Sequence, residues 1–373
     1  MDVPKTCLGA VLTAFGEPLK IMELKIPSEL ERGSLLVKVE AATICGSDVH
    51  LWEGALSGTL PVPLPVIPGH EFVGRIVRFG EGVERDSIGT PLALGDRIVW
   101  THESCDECRA CRVEREPSLC SNRRHYMFLR CTEYPYLTGG FAEYCYVLPK
   151  SGRLRVPDEV KSEWASAASC ALRSVMQGFE RLGAISAWES VVIQGSGPLG
   201  LFATAVAKNA GAGQIIVVGG PEQRLDVAKS WGADAVVSVE QYDAESRATR
   251  ISELTDGRGA DIVMELSGAP GAFVEGIQFA RRGGRYVVIG QVGPNMDTLL
   301  PADVTKKQLT ILGSWSGHTA QYWQALEFIR RTRDRFNFDL LISSRFRLDE
   351  INTAIERMRQ FSEIKPVVFP GAA

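Results

Sequence analysis

The stretch CDECRACRVEREPSLC places Cys105, Cys108, Cys111 and Cys120 at gaps of two, two and eight residues. Four thiolates so spaced can close a tetrahedron around zinc and leave no position open for chemistry. An iron–sulfur run also opens C-x2-C-x2-C, but it closes after three residues with Cys-Pro. Here eight residues intervene and Ser121 follows the last cysteine. Reduced, unligated thiols are the remaining reading, and so polar a segment gives four buried thiols little core to join. Four thiolates around Zn²⁺ carry a net charge of −2, and Arg109, Arg112 and Arg115 lie near enough in sequence to offset it. The reading is a structural metal lobe at about 102–125.

Two upstream segments, ATICGSDVHLWEG and PVIPGHEFVG, hold further metal-type ligands: Cys45 and His70, flanked by Asp48, His50 and Glu71. Singly each has an ordinary explanation, as a small buried hydrophobe, a surface histidine or a turn residue. A third feature is VVIQGSGPLGLFA, with Gly195, Gly197 and Gly200 spaced G-x-G-x-x-G and Pro198 and Leu199 between the last two. The motif follows an apolar strand and opens a helix, the context in which it binds a dinucleotide. Gly195 permits the tight turn, Gly197 lets the backbone approach a pyrophosphate, and Gly200 lets helix and strand pack closely. The helix start then offers N–H groups and partial positive charge to the phosphates.

Elements able to position these groups follow from periodicity. The first half reads as short strands between turns: SLLVKVEA, EFVGRIVRF, DRIVW, FAEYCYVL. From about residue 188 strands alternate with helical patterns, which implies βαβ units and a parallel sheet. The expected fold is α/β, a β-rich domain followed by a doubly wound one. With 373 residues the chain can bury a large core. A net charge of −4 gives no reason to expect nucleic acid or an acidic membrane as partner. No apolar run reaches the roughly 18 residues a membrane span needs. Nine cysteines are an odd number, and a soluble, cytoplasmic protein with reduced thiols is expected.

Taken together, these motifs resemble the zinc-containing alcohol dehydrogenases of the medium-chain dehydrogenase/reductase superfamily, over essentially the whole chain. The resemblance implies a GroES-like β-rich catalytic domain at 1–171 and 315–373, and a Rossmann-type coenzyme domain at 172–314. The active site would lie in the cleft between them. It implies Cys45, His70 and Cys170 as catalytic-zinc ligands, with Glu163 as a weaker alternative to Cys170. Ser47 would hydrogen-bond the substrate oxygen and His50 would end the proton relay. Asp48 would orient the ligating histidine, and Glu71 would sit beside the zinc. Lys365, in SEIKPVVF, would be a basic partner of the pyrophosphate. The other cysteines lack ligand-like context, and Cys145 reads as packing.

The implied reaction is reversible oxidation of an alcohol to an aldehyde or ketone, by hydride transfer to NAD or NADP, with two Zn²⁺ per chain. The partner would be a small alcohol or carbonyl compound, and the assembly a homodimer or homotetramer. A zinc-independent enone or quinone reductase of the same architecture would leave Cys45, His70 and Cys170 without purpose. A nonenzymatic nucleotide-binding protein would not need Ser47 and His50 together. Cofactor preference stays open. Gly219 stands where NAD enzymes carry an acidic residue, and Arg224 could reach a 2′-phosphate, but Glu222 could still accept ribose hydroxyls. An aspartate at 219 is expected to strengthen NAD use. Arg123, Arg124, His125 and Tyr126 read as solvated loop residues rather than substrate contacts.

Overall fold

The computed structural model describes residues 3–56, 62–293 and 296–371. They form two compact units. One comprises Met1–Arg173, Gly317–Thr332 and Leu341–Ala373, and the other Ser174–Ser316 and Arg333–Leu340.

The second unit is the doubly wound one. Its strands are β1 (Ser190–Gln194), β2 (Gln214–Gly219), β3 (Ala235–Ser238), β4 (Ala260–Glu265), β5 (Ala280–Val288) and β6 (Thr310–Gly313). They pair in the order β3-β2-β1-β4-β5-β6, every pair parallel. That order reverses direction beside β1, and ligands of open α/β sheets bind at such a switch point. All five residues of β1 and all six of β4 are buried. Helices cover both faces of a parallel sheet, so its central strands read as unbroken apolar runs. Val192, Ile216, Val263, Ile277 and Tyr286 are among the core residues.

The first unit is β-rich. A mixed sheet runs from Ile342–Arg347 through Lys365–Phe369, Leu35–Thr43, Glu71–Phe79 and Arg97–Glu103 to Ser151–Arg155, with Tyr144–Val147 also on Leu35–Thr43. Only the first of these pairs is parallel. Its core packs Leu36, Ile76, Trp100, Phe141 and Val368, among others. The strand Glu71–Phe79 begins directly after His70, so the sheet holds that histidine at its edge. Among the described residues no helix is long and apolar enough to cross a membrane.

Candidate active site and dinucleotide cradle

The lobe cysteines are brought together by a short helix, Arg109–Arg112, and a 3₁₀ turn, Pro117–Leu119. The four sulfurs lie within 4.8 Å of one another. Cys108 and Cys111 are 3.5 Å apart, as are Cys105 and Cys120, near the separation expected around a tetrahedral Zn²⁺ with bonds of about 2.3 Å. All nine cysteines are free of disulfides. The Cys108 N–H donates to the Cys105 sulfur and the Cys105 N–H to the Cys120 sulfur, both at 3.4 Å. Backbone donors from Glu107 and Cys108 pull the Cys105 thiol down to about 6. Amide donors aimed at sulfur suit thiolate ligands, and the set is closed to substrate.

A second cluster contains Cys45, His70, Glu71 and Cys170, whose ligand atoms also lie within 4.8 Å of each other. Cys45 caps the helix Gly46–Trp52. Cys170 sits in a single π-helical turn, Ala168–Leu172, between two α-helical stretches. Such turns displace one residue from helical register and recur at functional sites. Asp48 stitches the two ligand segments. Its carboxylate accepts the Cys45 N–H at 2.8 Å and the Gly69 N–H at 3.0 Å. His70 Nδ1 is 3.4 Å from Asp48 Oδ1, which leaves Nε2 for the sulfurs, the usual orientation of a ligating histidine. Burial lowers the His70 pKa, but Asp48 and Cys45 outweigh it and lift it to about 10. Negative groups thus flank this imidazole on both sides, surroundings that fit a divalent cation among the sulfurs.

Two expected roles need correction. Lys365 is not placed to serve a pyrophosphate. It is 1% exposed, and Nζ is held by Glu71 at 2.7 and 2.9 Å and by the Ile44 carbonyl at 3.3 Å. Three acceptors engage its three donors. Glu71 is further fixed by the Thr43 hydroxyl at 2.6 Å. Tyr126 is likewise no solvated loop residue. It is fully buried, its hydroxyl 3.1 Å from the Ser151 hydroxyl and accepting the Leu148 N–H at 2.8 Å. Arg124 is paired with Glu103, while Arg123 and His125 are half-buried. Glu163 pairs with Arg345 at 2.7 Å and lies outside the cluster.

Ser47 and His50 occupy the helix that follows Cys45. The Ser47 hydroxyl is 3.9 Å from the Cys45 sulfur. His50 is exposed, with Nδ1 3.8 Å from Glu53, so a proton reaching it passes readily to water. Sequence reasoning did not single out His102 or Arg173. The His102 ring lies 6.3 Å from that of His70, centroid to centroid, and Arg173 is 2% exposed.

In the second unit, Gly195 adopts φ 112°, a conformation that disfavours any side chain. A Cβ at Gly200 would lie 1.8 Å from the Gly195 carbonyl, so the helix must start against that turn without one. A Cβ at Gly197 would meet nothing within 4 Å. Protein packing therefore does not require a glycine there, and the space beside this backbone is open to a ligand. Gly197 caps the helix Pro198–Ala210, with Pro198 in its first turn, no acidic residue there and no side-chain cap. Its first amides, including that of Leu199, remain for phosphate oxygens. These features fit a dinucleotide. Gly219 ends β2, and Arg224 lies in the first turn of Glu222–Ser230, largely buried, its pKa lowered by desolvation.

A β-rich unit with one closed and one open thiolate site, joined to a dinucleotide cradle, defines a zinc-type dehydrogenase. Comparison with known proteins agrees. Residues 31–158 match the alcohol dehydrogenase GroES-like domain, and residues 198–331 match the zinc-binding dehydrogenase family. The chain is 35% identical to 5-exo-hydroxycamphor dehydrogenase of Pseudomonas putida, over 90% of this chain and 91% of that one. An alcohol dehydrogenase of Thermotoga maritima superposes with a TM-score of 0.90 at 35% identity, covering 98% of this chain and 99% of that one. A Sinorhizobium meliloti protein described as a zinc-binding dehydrogenase, solved bound to NADP, gives 0.83 at 29% identity, covering 98% and 100%. The chain belongs to the zinc-dependent alcohol dehydrogenase family of the medium-chain dehydrogenase/reductase superfamily.

Proposed function

We propose that Cys45, His70 and Cys170 hold a catalytic zinc and that the chain reversibly oxidises an alcohol to an aldehyde or ketone, passing hydride to NAD or NADP. The observation that carries the reading is the convergence of these residues within 4.8 Å in a chain that also carries a glycine cradle. When bound, zinc acts as a Lewis acid that makes the alcohol more acidic and polarises the carbonyl in reverse. Two thiolates and a neutral imidazole complement its charge and leave a coordination position for substrate. Asp48 fixes both ligand segments. Ser47 accepts the alcohol proton, which is released toward solvent through His50. The first-turn amides after Gly197 would hold the pyrophosphate of the dinucleotide, which would supply the hydride acceptor.

Glu71, the fourth residue of the cluster, is taken up by Lys365, whose ammonium bonds both of its oxygens. The reading includes a catalytic domain at 1–171 and 315–373, a coenzyme domain at 172–314, and a cytoplasmic homodimer or homotetramer. Elemental analysis joined to an assay with primary, secondary and polyol substrates, each with NAD and NADP, tests it. About two zinc ions per chain and dinucleotide-dependent turnover are expected. Iron in place of zinc, or no turnover of any alcohol by the zinc-loaded protein, overturns it.

A further inference from the structure

The second unit buries a carboxyl group to which the proposed chemistry gives no role. Glu265 is the last residue of β4 and is 0% exposed. One of its oxygens makes all of its side-chain hydrogen bonds. Oε1 accepts the Ser267 N–H at 2.8 Å, the Ser267 hydroxyl at 2.7 Å and the Gly268 N–H at 2.8 Å. Oε2 is buried too and has no hydrogen-bond partner. An unpartnered polar atom at such depth costs stability. Burial also raises the pKa of this carboxyl, against the pull of the Ser267 and Gly268 donors. The fold gains by one oxygen and loses by the other.

What this carboxyl holds together lies beside the glycine turn. Strands β1 and β4 are neighbours where the sheet order reverses, and Glu265 stands at the carboxyl end of β4. Just beyond it, the Leu266 N–H donates to the Gln194 carbonyl at 2.9 Å. A Cβ at Gly195 would lie 3.1 Å from the Ser267 nitrogen and 3.2 Å from the Leu266 carbonyl carbon. The turn therefore rests on the segment that Glu265 clamps. On the other side, the Glu265 carbonyl accepts the Ile289 and Gly290 N–H groups at 2.9 and 3.1 Å, and Gln291 Nε2 donates to the Ala269 carbonyl at 3.0 Å. A Cβ at Gly290 would come within 2.8 Å of Glu265 Oε2 and 2.5 Å of the Gly268 nitrogen. Gly268, at φ 65°, would set its own Cβ 2.6 Å from the Gly290 carbonyl oxygen. The segments after β1, β4 and β5 are thus packed backbone on backbone, with the Glu265 carboxyl among them.

A sheet of this order has two mononucleotide-binding halves, with the adenosine ribose at the end of β2 and the pyrophosphate at the turn after β1. That leaves the half built on β4 and β5 for the nicotinamide nucleotide. We propose that Glu265 is a positioning residue for the nicotinamide half of the dinucleotide, fixing the Ser267–Gly268 turn against Gly290 as the wall that receives it. The inference rests on the dehydrogenase reading and deepens it, because hydride transfer requires the acceptor to be held in one orientation.

The test titrates the full chain with NADH and NADPH, and with ADP and adenosine 2′,5′-bisphosphate, which carry the adenosine half alone. Wild type is set beside Glu265→Ala, Glu265→Gln and Ser267→Ala, with thermal unfolding followed in parallel. Glu265→Ala should weaken the better-bound dinucleotide by roughly tenfold or more, the worth of a hydrogen bond to a charged group, and the matching adenosine nucleotide by less than about twofold. Glu265→Gln keeps an acceptor for Ser267 and Gly268, and should hold dinucleotide affinity within about threefold of wild type. Ser267 is exposed, so Ser267→Ala reads the same clamp in a protein that folds even where Glu265→Ala does not. It removes one donor to Oε1 and should show a smaller loss, again confined to the dinucleotide. Losses shared equally by dinucleotide and adenosine nucleotide would assign Glu265 to the fold alone and overturn the inference. Dinucleotide affinity unchanged in both alanine variants would overturn it as well. In either case the dehydrogenase reading stands, whereas wild-type protein that binds neither NADH nor NADPH would remove both.

Discussion

Replacing Lys365 with methionine separates two roles that the same residue could play. In the structure its ammonium has no access to solvent and binds both oxygens of Glu71. Removing one partner of a buried ion pair leaves the other charge uncompensated, at a cost of about 3–5 kcal/mol. Burial pushes the Glu71 carboxyl up to about 7 against the pull of the Lys365 charge, and without that charge it rises further. A carboxyl whose folded pKa exceeds its ordinary 4.5 stabilises the fold when protonated. The loss in Lys365→Met should therefore grow as pH rises through that interval and shrink in acid. Adding Glu71→Gln removes the stranded charge and should recover more than half of the loss, a coupling visible in a double-mutant cycle. The assay is denaturation of zinc-loaded protein at several pH values, with zinc content and dinucleotide affinity measured alongside. A Lys365→Met protein of wild-type stability that binds dinucleotide tenfold more weakly, unrescued by Glu71→Gln, would refute the argument and restore the phosphate role.

Three further outcomes are expected. Gly197→Ala should cost about 1 kcal/mol at most, the preference of an N-cap site, yet weaken dinucleotide binding at least tenfold, whereas Gly200→Ala, with its Cβ 1.8 Å from the Gly195 carbonyl, should lose stability and binding together; calorimetry and dinucleotide titration distinguish them. Cys170→Ala should lose one zinc and nearly all turnover while keeping the lobe metal, and Cys108→Ala should lower solubility and thermal stability first; metal analysis that finds two zinc ions in Cys170→Ala refutes that assignment. His50→Ala should keep both zinc ions but slow alcohol oxidation, most at low pH, with partial rescue by small exogenous bases, and an unchanged pH–rate profile would remove His50 from the proton path.

Legibility in the sequence tracked the range of each interaction. The second unit could be read because parallel strands covered on both faces are unbroken apolar runs, as in VVI before Gly195, and because the turn that follows packs its own glycines. The lobe was equally plain, since its four ligands lie on one short segment. Cys170 was harder, because a π turn shifts it out of helical register and no spacing rule anticipates that. The Glu71–Lys365 pair joins residues 294 positions apart and leaves no local mark on either segment. Tyr126 was misread because its neighbours are polar and its burial comes from distant strands, through Ser151 and Leu148. Arg173 was invisible for the same reason: an arginine three residues after Cys170 looks like a helix-surface residue until the Gly317 segment packs over its stem.

The same distinction decides what can be done with cofactor preference. From sequence, Gly219 is a missing carboxylate, and an aspartate there should favour NAD. The structure gives the glycine a different reason. A Cβ at 219 would lie 2.5 Å from the Ser196 hydroxyl oxygen and 2.9 Å from the Ser196 backbone nitrogen. The Ser196 side chain is itself tied down, donating to the Gly220 carbonyl at 2.8 Å and accepting the Gly220 N–H at 3.0 Å. Ser196 lies between Gly195 and Gly197, so the glycine turn and the end of β2 are packed backbone against backbone. Any side chain at 219 must move the turn that receives the pyrophosphate. Gly219→Asp should therefore lower stability by 1 kcal/mol or more, about the cost of overpacking, and weaken NAD and NADP alike. Glu222 and Arg224, in the first turn of one helix, are then the side chains expected to set any preference. Dinucleotide titration of Gly219→Asp and Arg224→Gln checks this. Arg224→Gln should lose NADP affinity with NAD nearly unchanged, and a stable Gly219→Asp protein with improved NAD binding would show that the Ser196 turn yields where its packing says it cannot.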